Sequence, residues 1–236
     1  MADSVYAEAA LYRMLFAERT HDVAFYLREC AGVASVLDLG AGAGRVSIPL
    51  AAAGARVVAL DDSAAMLAQL TADAPEGLEL ETELADARTA RLGARFDRVT
   101  LAFNGLAHFG SPDDEAGLFG TVKAHLAEGG RFVFDSLLPD PATQRGVAFV
   151  PRFVHPRTGA VCRLEERASW DPTREVRTIT THIVERESGV EQTLTLSLRV
   201  RSDAQIRALL ATHGFAVIGT SPLGDAMGYV AERAAA

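Results

Sequence analysis

Residues 36–62 read VLDLGAGAGRVSIPLAAAGARVVALDD, and this stretch decides the fold. Val36, Leu37 and Leu39 form a short apolar run that ends in glycines and gives way to an alanine-rich pattern. That order predicts a buried strand, a tight turn and a helix. The turn is Gly40-Ala41-Gly42-Ala43-Gly44. Glycine there admits positive φ and lets a ligand approach where a Cβ would collide. A second apolar run, Val57 to Leu60, follows Gly54 and stops at Asp61, completing a βαβ unit. Its right-handed crossover brings the glycine turn and Asp61 to the same edge of a parallel sheet. A carboxylate at that edge, about 20 residues past the glycines, can accept hydrogen bonds from both hydroxyls of a ribose, so a nucleoside is the expected ligand.

Spacing narrows the choice of nucleoside. The dinucleotide fingerprint G-x-G-x-x-G/A fails in both registers, because its last position is Arg45 when counted from Gly40 and Ser47 when counted from Gly42. What stands instead is Asp38-x-Gly40-x-Gly42-x-Gly44. This resembles motif I of class I S-adenosylmethionine-dependent methyltransferases, in which an acidic residue precedes three alternating glycines. The resemblance implies S-adenosylmethionine as cofactor and S-adenosylhomocysteine as product. It places Asp38, Gly40, Ala41, Gly42 and Gly44 against the methionine and ribose part, with Asp61 holding the ribose and Asp62 beside it.

Composition sets the bounds. A chain of 236 residues with 49% hydrophobic positions can bury one good core, with room for an embellishment. A formal charge of -8 leaves no basic footprint, so nucleic acid is disfavoured and a small-molecule partner expected. Two cysteines, Cys30 and Cys162, give no disulfide framework and fit a reducing cytoplasm. No apolar run approaches a bilayer's thickness, and the start, MADSVYAEAA, lacks the basic and apolar regions of a signal peptide. Residues 231–236 read as a frayed end. The oligomeric state is left open, a homodimer included, and no metal ligands are expected.

Along the chain, residues 5–29 show helical spacing of Val5, Leu11, Leu15, Val23 and Leu27. The stretch from Tyr12 to Tyr26 resembles the segment ahead of motif I in methyltransferases acting on amino sugars or glycine. There it folds over the site as a lid, with a tyrosine near the methyl donor; Tyr12 is the matching candidate, although Arg13 stands where relatives often carry aspartate. Lid packing is the competing role for Tyr12 and Tyr26. After Asp61, a helix opens with Asp62 or Ser63 as its cap. Family members set an apolar side chain at the position of Met66 against the adenine, while methionine equally suits a core. The third strand is expected over Leu78 to Leu84, followed by Ala85-Asp86-Ala87. The resemblance gives Asp86, with Ala87, the adenine amino group; a surface-loop aspartate is the alternative.

The fourth strand is expected over Phe96 to Phe103 and opens into Asn104-Gly105-Leu106-Ala107-His108-Phe109. Ligands of open α/β sheets sit beyond the carboxyl ends of the strands, so this hexapeptide should line the reaction site. In the family this segment, from Phe103 on, lies beside the transferable methyl. Asn104 is the candidate to orient a substrate amine or hydroxyl and His108 to take its proton, against a structural histidine. Ser111-Pro112 followed by acids predicts a helix start, the helix stopping near Gly129-Gly130 with His125 in its last turn. A fifth strand over Arg131 to Asp135 ends on a carboxylate suited to a substrate amine or to capping a loop.

Between residues 141 and 200 the sequence has β character near 148–154, 161–170, 175–185 and 190–200, with turn signals at Thr158-Gly159, Asp171-Pro172 and Ser188-Gly189. Leu194, Leu196, Leu198 and Val200 alternate with polar residues, predicting an antiparallel sheet with one wet face. Small-molecule methyltransferases carry sheet extensions at this point, and His155, His182, Arg152 and Arg163 are candidates to face an acceptor. Ser202-Asp-Ala-Gln205 is a capping box, and strands over 215–219 and 227–231 match the family's closing hairpin, its last strand inserted into the sheet.

The expected fold is therefore α/β: a Rossmann-like seven-stranded methyltransferase sheet with helices on both faces and an inserted antiparallel β lid after strand 5. The expected domains are an N-terminal helical lid, 1–32, an S-adenosylmethionine-binding core, 33–140 and 201–236, and a substrate cover, 141–200. The expected activity is methyl transfer to nitrogen or oxygen of a small polar metabolite such as an amino sugar, amino acid or natural-product intermediate. The alternatives are non-methylating chemistry such as cyclisation, or a silent cofactor-binding module.

Overall fold

A computed structural model describes residues 8–16, 19–139 and 146–234, so Val5 and the last two alanines lie outside the described residues. The described residues fall into two compact units, one from 19–138 and 201–234, the other from 8–16, 139 and 146–200.

The larger unit is built on a seven-stranded sheet. Its strands are β1 (Ser35–Leu39), β2 (Arg56–Asp61), β3 (Leu80–Leu84), β4 (Phe96–Leu101), β5 (Leu126–Leu137), β10 (Phe215–Leu223) and β11 (Ala226–Arg233). Their order is β10-β11-β5-β4-β1-β2-β3. β1 to β5 run parallel, whereas β11 is antiparallel to both β5 and β10. The final strand thus enters the sheet beside β5, as the closing hairpin predicted.

Side-chain alternation along these strands creates two cores. Leu37, Leu39, Phe132, Phe134 and Tyr229 join one cluster, while their neighbours Val36, Val133 and Val230 join the other. The first cluster is covered by α5 (Pro112–His125) and α6 (Asp203–Thr212) through Leu118, Phe119, Val122, Ile206 and Leu210. The second is covered by α2 (Val23–Glu29) and α3 (Ser47–Ala52) through Phe25, Tyr26, Leu50 and Ala51. A strand buried on both faces has no polar side to spare, which is why β1 and β2 read as continuous apolar runs.

In the smaller unit, β6 (Gly146–Val154), β7 (Val161–Asp171), β8 (Val176–Glu185) and β9 (Glu191–Arg199) form an antiparallel sheet in that order. Leu194 of β9 is buried with Cys162, Leu164 and Ile183, Leu11 of α1 (Ala9–Phe16) joins them, and Leu198 on the same face of β9 is buried too. The one-wet-face reading therefore holds, and α1 is what the dry face packs against.

Several boundaries differ from the sequence reading. The single helical segment expected over 5–29 is two helices, α1 in the smaller unit and α2 in the larger. Residues 19–22 between them lie outside both helices, and the Arg19 carbonyl there accepts a bond from Arg45 at 2.9 Å. β4 stops at Leu101, two residues early, because Phe103 and Asn104 both adopt φ of 58°. β5 runs past Asp135 to Leu137 because Ser136 and Leu137 find partners in Met227 and Ala226 of β11. Pairing of β11 with β5 as far as Ala231, and with β10 as far as Arg233, keeps this end a strand, with Ala231 fully buried rather than frayed. Among the described residues no helix is long and apolar enough to cross a membrane, and no group of histidine, cysteine and carboxylate residues is arranged to hold a metal.

Phe25 lies directly on the backbone of β11, where a Cβ at Gly228 would sit 2.7 Å from its ring. Gly228→Ala is expected to destabilise the protein by about 1–3 kcal/mol, read as a lower urea midpoint at constant m. Adding Phe25→Leu should recover part of the loss. A Gly228→Ala midpoint equal to wild type would remove this account of how α2 docks.

Candidate functional site

The carboxyl ends of β1, β2, β4 and β5 carry the residues singled out by the sequence. At the first bend Gly40, Gly42 and Gly44 all have positive φ, 63°, 56° and 84°. A Cβ on Gly40 would meet nothing closer than 3.8 Å, so backbone conformation demands glycine there, while at Gly44 a Cβ would also strike Leu70 at 2.7 Å. The Ala41 N–H donates to the Leu60 carbonyl at 3.0 Å, tying the bend to β2. Asp61 completes the tie: its Oδ2 accepts the Gly42 N–H at 2.8 Å and its Oδ1 the Ser63 N–H at 2.9 Å. Burial raises its pKa, and those N–H groups oppose the shift. Each carboxylate oxygen keeps a further lone pair for a ligand hydroxyl.

The other donor-side candidates divide by environment. Asp38 is 1% exposed and faces inward, accepting the Ser47 hydroxyl at 2.5 Å and the Thr100 hydroxyl at 2.7 Å. Burial raises its pKa against these two bonds. It joins α3 and β4 to β1 and so stiffens the bend from behind. Asp62 is exposed, and Ser63 is the cap of α4 (Ala64–Asp73), its hydroxyl accepting the Met66 N–H at 3.3 Å. Met66 is buried in the first turn of that helix. Asp86 is engaged by Arg88, which binds both its oxygens and also reaches Asp114 at 2.9 Å, and this pairing holds the Asp86 carboxyl below its usual range. Ala87 packs against the first core.

The second bend follows β4. Phe103 and Asn104 occupy the left-handed region in succession, a conformation rare outside glycine. Asp135, 2% exposed, holds them there: Oδ1 accepts the Phe103 N–H at 2.6 Å and Oδ2 the Asn104 N–H at 2.9 Å. The Tyr26 hydroxyl donates to Oδ1 at 2.5 Å. Enclosure raises the pKa of Asp135 against these bonds and pushes the Tyr26 phenol well above its ordinary value, so the phenol keeps its proton and donates. Asp135 thus occupies the loop-capping position, one of the two roles its sequence position allowed. Asn104 is itself nine-tenths buried, and its side-chain Oδ1 has no hydrogen-bond partner among the described residues. An orphaned buried acceptor costs about 1–3 kcal/mol, so it marks a place where a donor is missing.

His108 ends the 3-10 turn Gly105–His108 and is solvent-accessible. Desolvation by the surrounding protein lowers its pKa, and Asp62 opposes the shift. Arg201, buried, pins this turn through the carbonyls of Leu106 at 3.3 Å and Phe109 at 2.6 Å, its charge balanced by Glu115 at 2.5 Å. Arg45, read above only as the residue that breaks the dinucleotide fingerprint, pairs with buried Asp22 through two bonds of 2.5 and 2.7 Å. The guanidinium groups of Arg45 and Arg19 lie 5.0 and 4.8 Å from the centre of the Phe103 ring. Sequence reasoning missed Arg201 and Asp22, and gave Tyr26 only a packing role. All three act through long-range contacts that no local pattern announces. His125 is buried in the last turn of α5, where its Nε2 accepts the Leu92 N–H at 2.9 Å and its Nδ1 meets the Thr121 carbonyl at 2.8 Å, so it serves the structure.

The remaining candidates belong to the smaller unit. Tyr12 packs beside Phe16, ring centres 4.8 Å apart. His155 is buried and meets Glu8 at 3.3 Å, and His182 meets Glu191 at 3.2 Å.

Residues 36–130 match the family model described as a methyltransferase domain. No curated protein sequence matches the chain. Among solved structures, the sugar N-methyltransferase KedS8 from Streptoalloteichus sp. is 20% identical, with a TM-score of 0.75 over 95% of this chain and 93% of that one. CcbJ methyltransferase from Streptomyces caelestis is 24% identical, with a TM-score of 0.73 over 91% and 89%. The amino pentose methyltransferase CalS10 from Micromonospora echinaspora is 24% identical, with a TM-score of 0.67 over 92% and 90%. Residues 36–130 thus match a methyltransferase domain, and the chain as a whole has the fold of these solved methyltransferases.

Proposed function

We propose that this protein binds S-adenosylmethionine at the bend of residues 40–44 and transfers its methyl group to a nitrogen of a small polar metabolite, an amino sugar being the leading class. The observation that carries the reading is the joined pair of Gly42 and Asp61: a glycine bend with three positive φ angles, locked to a carboxylate that retains lone pairs for a diol. The failed dinucleotide spacing argues against a nicotinamide cofactor. Nitrogen is preferred because KedS8 is a sugar N-methyltransferase and CalS10 an amino pentose methyltransferase.

When bound, the cofactor supplies an electrophilic methyl on a positively charged sulfur, which becomes a neutral thioether as the methyl leaves. The chain's own work is to hold, orient and deprotonate. In this reading Asp61 grips the ribose and Met66 lines the adenine site. Asp38 keeps the bend rigid from behind. Asn104 Oδ1 receives an N–H of the acceptor and so points its lone pair at the methyl carbon. His108, neutral above its lowered pKa, takes the proton that the nitrogen sheds. Alignment of two bound reactants supplies roughly 7–11 kcal/mol, whereas a general base supplies about 10²–10⁴-fold, or some 3–5 kcal/mol. Positioning therefore carries most of the rate, and an amine that arrives neutral makes light demands on His108. A hydroxyl acceptor would depend on it far more.

Two measurements test this. Calorimetry with S-adenosylhomocysteine should show Asp61→Asn binding about 10–100-fold more weakly than wild type, the loss of charge-assisted bonds of roughly 1.5–3 kcal/mol. Absence of heat from both S-adenosylmethionine and S-adenosylhomocysteine with the wild-type protein would end the proposal. With D-glucosamine as acceptor, kcat falls toward acid through the substrate's own ammonium form as well as through His108, so the comparison is made at the alkaline plateau. There His108→Gln should lower kcat measurably but by less than about tenfold for an amine, against 10²–10⁴-fold for a hydroxyl. A plateau equal to wild type in the variant would remove His108 from the mechanism.

A further inference from the structure

Asp135 and Tyr26 are remote from the glycine bend in sequence, yet they meet beneath the residue that the proposed reaction asks most of. Two successive backbone N–H groups, from Phe103 and Asn104, converge on one carboxylate in the manner of an anion-binding nest whose anion is the protein's own side chain. Neither residue is glycine, and both are held at φ of 58°. Such conformations persist only where surrounding groups over-determine them, and they concentrate at functional sites. The over-determination here is a third bond, the Tyr26 hydroxyl from α2 on Asp135 Oδ1, the same oxygen that takes the Phe103 N–H. Tyr26 is fully buried, so its hydroxyl serves no ligand directly.

A loop capped merely for stability would leave its side chains satisfied. This one leaves Asn104 Oδ1 buried and without a partner among the described residues. Gly105, next in line, has no room for a Cβ, which would lie 2.5 Å from the Leu101 side chain. Arg201 fixes the far end of the turn. Tyr26 supports the other end from α2, through Asp135.

We infer that Tyr26 and Asp135 are positioning residues for methyl transfer: the phenol fixes the carboxylate, the carboxylate fixes the left-handed pair, and the pair aims Asn104 Oδ1 at the acceptor's N–H. This rests on the reaction proposed above, and it changes what Asp135 does. It receives no substrate amine; it sets the residue that does. The link also gives α2 a part in the chemistry, since the helix carrying Tyr26 also begins at Asp22, the partner of Arg45 in the glycine bend.

Tyr26→Phe removes one hydroxyl and keeps the buried ring. Hydrogen exchange of the Phe103 and Asn104 amides in the ligand-free protein should then speed up at least about tenfold, the effect of weakening a bond by 1.4 kcal/mol, while the Gly42 amide stays as in wild type. S-adenosylhomocysteine affinity should remain within about twofold. With S-adenosylmethionine and D-glucosamine, kcat should fall about 10–100-fold with KM for the methyl donor little changed. Asn104→Ala should lower kcat by at least as much, and adding Tyr26→Phe to it should lower it no further, because the tyrosine acts only through Asn104. Unchanged exchange at residues 103 and 104, or losses that multiply in the double variant, would overturn the inference. A wild-type protein that binds no S-adenosylhomocysteine would instead overturn the reaction on which it rests, a separate result read before any variant is made.

Discussion

A chain that leaves the carboxyl edge of a parallel sheet in a sharp bend exposes backbone N–H groups that no strand can satisfy, and in this protein aspartates meet that demand. Asp61 takes the N–H groups of Gly42 and Ser63, and Asp135 those of Phe103 and Asn104. Asp38 does the same service for two hydroxyls, those of Ser47 and Thr100. Each sits near the end of its strand, and each has its pKa raised by enclosure and restrained by the donors around it. Without these carboxylates the bends would open toward water, and the edge where ligands bind in such sheets would lose its shape.

The three differ in how far they face outward, and that gradation separates support from contact. Asp38 and Asp135 are 1% and 2% exposed, whereas Asp61 is only part-buried at the bend itself. A carboxylate sealed inside can stiffen a loop but is closed to a ligand. Sequence proximity to a glycine motif does not distinguish the two situations, which is why Asp38 and Asp61 look equally plausible as ligand contacts in the primary structure. The same holds for Asp86, an acid in the right place whose oxygens are bound by Arg88 two residues on.

What was legible in the sequence was local. The alternating glycines with Asp61, the capping box of Ser202 and Gln205, the serine cap at Ser111 and the hairpin turns of the inserted sheet all act within a short span of chain, and each stands where its pattern put it. What was hidden depended on distance along the chain. Tyr26 and Asp135 are 109 residues apart, Asp38 and Thr100 62, and Arg45 reaches back 23 to Asp22. A helical pattern over 5–29 could not foresee that residues 19–22 would lie outside any helix, with the Arg19 carbonyl bonded to Arg45. Nor could the apolar run after Phe96 show that the strand would end at Leu101, since the force that ends it comes from β5.

The left-handed pair shows how close such an arrangement lies to balance. Two non-glycine residues in that region cost about 1–3 kcal/mol each, and enclosing a carboxylate adds a penalty of several kcal/mol. Three hydrogen bonds to a charged acceptor return about 1.5–3 kcal/mol each. The opposing sums are of similar size, so the bend is held with little to spare and no one of the three bonds is redundant. Rigid placement of Asn104 is then a property of the whole set. The strand end supplies the carboxylate, α2 supplies the phenol, and the two backbone donors exist only because the chain turns the disfavoured way.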